Sequence, residues 1–206
     1  GTGNDTIQAA KEITVNKDYN AKLTDYEYKH YYKFSLKAAG KVSFQMNRKS
    51  DTQWRMAILN KDGKEFGSEY TSYDSNAIGK ETIDVGLPSG EYYILISDSY
   101  NTENVQYSFN VKYTAGEYYE KEFNNNISSS NAINLNKEYE GISESSDDKD
   151  YYKFVLTSPG NVVIDFNRKA GNYWYVDLLN GEGKSYLNFY TSDDADVTGK
   201  EQEHIG

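Results

Sequence analysis

The sequence predicts an all-β fold built as a tandem of antiparallel β-sandwich modules. Three observations carry that expectation. Residues 4–86 and 124–206 align without a gap at a constant offset of 120, with about 30 identities over the aligned stretch. A period that long marks tandem domains, because solenoid units run to about 20–50 residues. Apolar residues alternate at period two, with almost no helical periodicity. Turn residues punctuate the alternating runs every 8–12 residues or so, the rhythm of a sandwich.

The strands follow in order. Thr6 to Glu12 is the only helix-like stretch, and it is too short to stand alone. Tyr32–Leu36 and Val42–Met46 alternate, Trp54–Leu59 reads as a more buried strand, and Tyr92–Ile96 as a central one. Tyr107–Tyr113 alternates cleanly. Three segments read as hairpin turns: Ala39-Gly40 (Pro159-Gly160 in the second copy), Asn60-Lys61-Asp62-Gly63 (Asn180 to Gly183), and Pro88-Ser89-Gly90. The repeat sets the boundaries: a first module over 1–113, an acidic, aromatic linker over 114–122, and a second module over 123–206. The second copy stops at the equivalent of Gly86, so it is expected to lack its C-terminal strands and to expose sheet edges open to pairing in trans.

Composition narrows the function. The net charge is -10 and the pI about 4.7, which disfavours phosphate backbones and favours cations. No apolar run is long enough to span a membrane. Cysteine is absent, which removes disulfides as staples and leaves bound metal as a substitute. Tyr is abundant, at 21 residues, which argues against disorder despite a mean hydropathy of -0.85. His30 and His204 are the only histidines, and no nucleophile motif, zincin motif or phosphate-cradling glycine loop is present. The chain therefore reads as a non-enzyme.

The densest oxygen-donor constellation opens the second module as Glu120-Lys121-Glu122-Phe123-Asn124-Asn125, followed by Asp147-Asp148-Lys149-Asp150. Alternate residues of an extended segment share a side, so Glu120, Glu122 and Asn124 can present oxygens to one point. Asp147 and Asp150, three apart in a turn, can close a cage of the kind Ca²⁺ needs. A solvated acidic linker beside an acidic turn is the alternative. Asn47-Arg48-Lys49, repeated at 167–169, reads as a polar strand end.

The order Glu-x-Glu-x-Asn-Asn, a spacer near 20 residues, then Asp-x-x-Asp-Tyr-Tyr-x-Phe resembles the bacterial pre-peptidase C-terminal domain. That family includes the collagen-binding domains of clostridial collagenases. Gly40-Lys41-Val42, Asn60 to Lys64 and Leu87 to Ile94 fit the same pattern. The resemblance implies a jelly-roll-like sandwich and a secreted or cell-surface accessory module attached to a peptidase or surface protein. It also implies Ca²⁺ held by Glu120, Glu122, Asn124, Asn125, Asp147 and Asp150. The first module departs from the pattern: Thr2 stands for Glu122, Glu27 for Asp147 and His30 for Asp150. A weak site or none is expected there. The alternative to a targeting or spacing role is adhesion, with collagen or a glycan as the extracellular polymer and Tyr92, Tyr93, Tyr100 and Trp54 as the candidate contact residues on a Tyr-rich face. Core is the competing reading for Trp54, and the small, acidic Ser97-Asp98-Ser99 weakens collagen as the ligand.

Overall fold

The computed structural model describes residues 3–24, 28–48, 52–71, 80–100, 104–143, 145–168, 173–191 and 199–205. The chain divides into two compact units, Gly1–Lys153 and Phe154–Gly206.

The first unit contains a β-sandwich. One sheet holds β1 (Lys11–Glu12), β3 (Lys29–Leu36), β8 (Gly90–Asp98), β5 (Trp54–Leu59) and β6 (Glu65–Tyr70), in the order β1-β3-β8-β5-β6. The other holds β2 (Asp18–Lys22), β9 (Gln106–Ala115), β4 (Gly40–Arg48) and β7 (Lys80–Leu87), in the order β2-β9-β4-β7. Every pairing is antiparallel except β1 with β3. The five strands anticipated from the sequence, three from alternation and two from apolar runs, all fall inside β3, β4, β5, β8 and β9. Thr6 to Glu12 resolves into a single 3-10 turn at Ile7–Ala9, capped by the Thr6 hydroxyl, and the short β1.

Alternation becomes burial directly. Along β3 the inward residues Tyr32, Phe34 and Leu36 are buried, and along β4 so are Val42, Phe44 and Met46. They meet Trp54, Met56, Ile58, Ile94, Ile96 and Val111 in one core between the sheets. Each such side chain contributes about 1.5–3 kcal/mol on removal from water. Trp54 and Tyr92 belong to this core, at 0% and 5% exposure, which removes both from any ligand-binding face. Trp54 packs edge-on to Tyr107, with ring centroids 5.5 Å apart.

Only one of the three segments read as hairpins joins neighbouring strands. Between β5 and β6, Asn60 accepts the Asp62 and Lys64 N–H groups on its side chain, and Gly63 takes φ +79°. The other two are corners where the chain changes sheet, from β3 to β4 and from β7 to β8. Gly40 is glycine because β9 passes so close: an added Cβ would lie 2.2 Å from the Thr114 carbonyl oxygen. Asn47-Arg48-Lys49 is likewise more than a polar strand end. Arg48 is buried, and its Nη1 donates to the Thr52 carbonyl at 3.1 Å and the Thr71 hydroxyl at 3.0 Å.

In the second unit, β12 (Val162–Arg168) pairs with β15 (Gly199–Ile205), and β13 (Tyr175–Leu179) with β14 (Ser185–Tyr190). These registers repeat those of β4 with β7 and of β5 with β6 at the same offset of 120, down to the irregularity at Leu59 and Leu179. The Trp174 backbone N–H donates to Thr191 Oγ1 at 3.0 Å, as the Trp54 backbone N–H does to Thr71 Oγ1 at 2.9 Å. In the first sandwich β8 and β9 are the inner strands that join these pairs into sheets. Leu156, the counterpart of the buried Leu36, is 46% exposed.

Tyr107 also carries the buried polar chemistry of the first core. Its hydroxyl is 2.6 Å from His30 Nδ1 and 2.7 Å from the Tyr32 hydroxyl. Burial pushes the Tyr107 hydroxyl far above its usual pKa and raises that of Tyr32, so both stay neutral. Replacing Tyr107 with Phe removes a hydrogen bond from each of two buried partners and is expected to cost about 1–3 kcal/mol in urea unfolding. Tyr100→Phe, on the surface, should change stability by less than about 0.5 kcal/mol.

Candidate metal centre

The candidate centre lies in the first unit, where the segment expected to be a linker is an ordered strap. Tyr119 bridges Glu140 in parallel, and the Glu120 N–H donates to the Glu140 carbonyl at 2.8 Å. The Glu122 N–H donates to the Gly86 carbonyl at 3.0 Å, at the end of β7. Asn131 clasps Lys121 from both sides, accepting its N–H at 2.7 Å and donating to its carbonyl at 3.0 Å. Gly86 admits the strap because a Cβ there would lie 2.1 Å from the Glu120 carbonyl oxygen.

Held this way, the strap alternates as an extended segment should. Glu120, Glu122 and Asn124 are buried at 2%, 6% and 0% exposure, while Lys121 and Phe123 are half-buried. Phe123 anchors the strap to the sandwich: it stacks on Phe66 at 4.5 Å, and Lys64 Nζ sits 3.6 Å from its ring centre. Asp150 arrives from the segment before β11 (Tyr152–Lys153), which pairs in parallel with β10 (Asn131–Ala132). The Tyr151 N–H donates to the Asn124 carbonyl at 2.9 Å, setting Asp150 beside the strap.

One oxygen from each of Glu120, Glu122 and Asp150 lies within 4.8 Å of the others. Among the described residues no ion pair joins them. Glu120 is partly satisfied: Oε1 accepts the Ile142 N–H at 2.5 Å, and Oε2 accepts the Tyr152 hydroxyl at 3.0 Å. Glu122 Oε1, Asp150 Oδ1 and both amide atoms of Asn124 are buried with no hydrogen-bond partner. An unmet buried polar atom costs about 1–3 kcal/mol, more when charged. Burial, then the neighbouring Asp148 and Asp150, pushes the Glu122 carboxyl up to about 7, with Lys64 opposing weakly. Glu120 and Asp150 are both raised, first by burial and then by nearby carboxylates.

Of the six residues expected as ligands, the structure groups three, Glu120, Glu122 and Asp150, and buries a fourth, Asn124, on the same strap with its amide unpartnered. Asn125 is exposed, with its amide 3.5 Å from Asp148. Asp147 is exposed in the turn closed by the Asp148 N–H on the Ser145 carbonyl and is not among the grouped carboxylates. Its neighbour Asp148 is the residue whose charge acts on Glu122 and Asp150. Sequence reasoning also passed over Tyr152 and Gly141. A Cβ on Gly141 would lie 2.7 Å from the Tyr152 hydroxyl and 2.9 Å from Glu120 Oε2. The adjacency of Tyr152 to Asp150 was the available signal.

In the first module the counterpart of Asp150 is His30, which is buried and bonded to Tyr107. The Asn4 side chain donates to the Tyr31 carbonyl at 2.9 Å, whereas Asn124, its counterpart, has no such partner. Thr2 and Glu27 lie outside the described residues. Of the candidate ligand-face residues, Tyr93 lies half-buried on the outer side of the five-stranded sheet against Ala57, Leu59 and Leu95. Tyr100 is 60% exposed.

No family model matches this chain. Among solved structures it is similar to the pre-peptidase C-terminal domain of a collagenase from Bacillus anthracis, at 15% identity and a TM-score of 0.42, over 50% of this chain and 94% of that one. It is also similar to PliG, a periplasmic lysozyme inhibitor of g-type lysozyme from Aeromonas hydrophila, at 16% identity and a TM-score of 0.38, over 51% and 97% of the two chains. A third is CsCBM6-3 from Clostridium stercorarium in complex with cellobiose, at 10% identity and a TM-score of 0.28, over 52% and 98%. With every TM-score below 0.5, these likenesses carry no assignment of function.

Proposed function

We propose that Glu120, Glu122, Asn124 and Asp150 hold a structural Ca²⁺ ion. In this reading the chain is a non-catalytic accessory part of a secreted or surface bacterial protein, used for targeting or spacing a parent enzyme such as a peptidase. The observation that carries the reading is the cluster of three carboxylates within 4.8 Å of one another, with Glu122 Oε1 and Asp150 Oδ1 buried and unpartnered and the Asn124 amide, two residues on from Glu122, unpartnered at both atoms. Hydrogen bonds within the cluster do not meet these groups, and a hard cation does.

The donor set argues for the kind of cation. Every grouped side chain offers oxygen, none offers sulfur or imidazole, and Ca²⁺ takes six to eight oxygens from carboxylates, amides, backbone and water. When bound, the ion supplies the positive charge that lets buried carboxylates stay ionised. The residues do the rest. Glu120 and Glu122 tie the ion to the strap on β7, and Asp150 ties it to the start of β11. Calcium then holds the strap and the 140–152 segment together on the first sandwich.

Calcium in excess of EDTA should raise the melting temperature, by about 2.7 kcal/mol of stabilisation when free calcium is 100-fold above Kd. No shift in calorimetry would sink the proposal. Glu122→Gln should melt no lower than the wild type in EDTA and should lose the calcium response.

The sign of the pH dependence follows from the raised Glu122. Its folded pKa of about 7 exceeds the ordinary 4.5, so the folded state binds more protons between those values. Without the cation, stability therefore falls as pH rises through that window. The EDTA-treated protein should melt higher near pH 5 than near pH 8, whereas calcium affinity should rise over the same interval as protons cease to compete. Gly86→Ala, which drives a methyl into the Glu120 carbonyl, should cost about 1–3 kcal/mol and weaken the calcium response.

A further inference from the structure

The outer face of the β13–β14 hairpin carries a row of solvent-exposed tyrosines. Tyr173, Tyr175 and Tyr190 are 61%, 50% and 57% exposed. Tyr190 lies between the other two: its ring stacks on Tyr173 at 5.1 Å and packs against Tyr175 at 4.7 Å. Polar groups continue the row. The Tyr175 hydroxyl donates to Asp177 Oδ2 at 3.2 Å, the Ser185 hydroxyl to Asp177 Oδ1 at 2.6 Å, and the Asn188 amide to Ser185 Oγ at 3.4 Å.

Trp174 points to the opposite side of the hairpin, where it packs on Phe166. Tyr70, the counterpart of Tyr190 in the first sandwich, is also 57% exposed. What differs is the rest of the face. In the first copy Arg55 pairs with Glu65 and lies over the Tyr70 ring. The second copy has Tyr175 for Arg55, Ser185 for Glu65, Tyr173 for Gln53, Asn188 for Ser68 and Asp177 for Ala57. A charge-paired face has become an aromatic one with a hydrogen-bonding margin.

We infer that this face binds a neutral polysaccharide, with pyranose rings seated on Tyr173, Tyr190 and Tyr175 and hydroxyls met by Asp177, Ser185 and Asn188. The C–H face of a sugar ring is weakly electropositive and suits the negative face of an aromatic ring. Tyrosines that brace one another offer this contact at little cost in side-chain entropy. Asp177 already accepts two hydrogen bonds, and a carboxylate has capacity for about two more. Charge decides the class of polymer. The six residues carry one negative charge and no cation, on a chain of net charge -10, which disfavours nucleic acids and sulfated glycans. The inference supplies a target for the accessory role proposed above and rests on that reading for its biological sense, but not on the cation site.

Affinity electrophoresis of the 206-residue chain in gels containing hydroxyethylcellulose, xyloglucan, glucomannan or soluble starch tests it. At least one polysaccharide should retard the wild type. The double variant Tyr175→Ala/Tyr190→Ala should bind about tenfold more weakly. Tyr175→Phe/Tyr190→Phe keeps the rings and should stay within about twofold of wild type, as should Tyr70→Ala. Circular dichroism checks that each variant is folded. Retardation by none of the four, retardation unchanged in a folded alanine variant, or binding to insoluble collagen alone would overturn the inference. Those results leave the melting response to calcium untouched, so failure here is distinguishable from failure of the cation reading.

Discussion

Enclosed negative charge is the constraint around which the 118–153 segment is arranged. Glu120, Glu122 and Asp150 face one another where water is largely excluded, and the ammonium of Lys64 only partly offsets Glu122. Like charges at this separation in a poorly hydrated site either take up protons or take up a cation. The surrounding backbone is committed to keeping them there. Gly86 lacks the Cβ that would push the strap away, Asn131 clamps Lys121, and Phe123 seats the strap on Phe66. A solvated acidic linker needs none of these devices.

The fold was largely legible because alternation is a direct record of burial. The strands around Phe34, Phe44 and Phe109 could be placed from period two, and those around Met56 and Ile94 from their apolar runs. What escaped was connectivity. Gly40 and Gly90 look like hairpin glycines in sequence, but they sit at corners between sheets, and Gly40 is fixed by the approach of Thr114, about 75 residues away. Arg48 was hidden for a similar reason. A buried arginine is intelligible only once the carbonyl of Thr52 and the hydroxyl of Thr71 that receive it are known.

The candidate centre was legible in part. Spacing at i, i+2 and i+4 gave Glu120, Glu122 and Asn124, because an extended strap preserves period two. The turn at Ser145 to Asp148 broke the analogous argument for Asp147, since sequence does not say which residue of a turn points inward. Tyr152 and Gly141 matter through contacts across loops, which no local pattern encodes. The two copies add a further lesson. Their strand registers agree residue for residue, while their polar positions have diverged: His30 with Tyr107 fills the place of Asp150, and Tyr175 and Ser185 replace the Arg55–Glu65 pair. Identity between the copies traces the fold, and difference between them traces the candidate sites.

Equilibrium dialysis against radioactive calcium, read as ions bound per chain, tests the central claim most directly. The account predicts one ion per 206-residue chain, lost in Asp150→Asn and kept in His30→Asn. No bound calcium, or binding that survives Asp150→Asn unchanged, would contradict it.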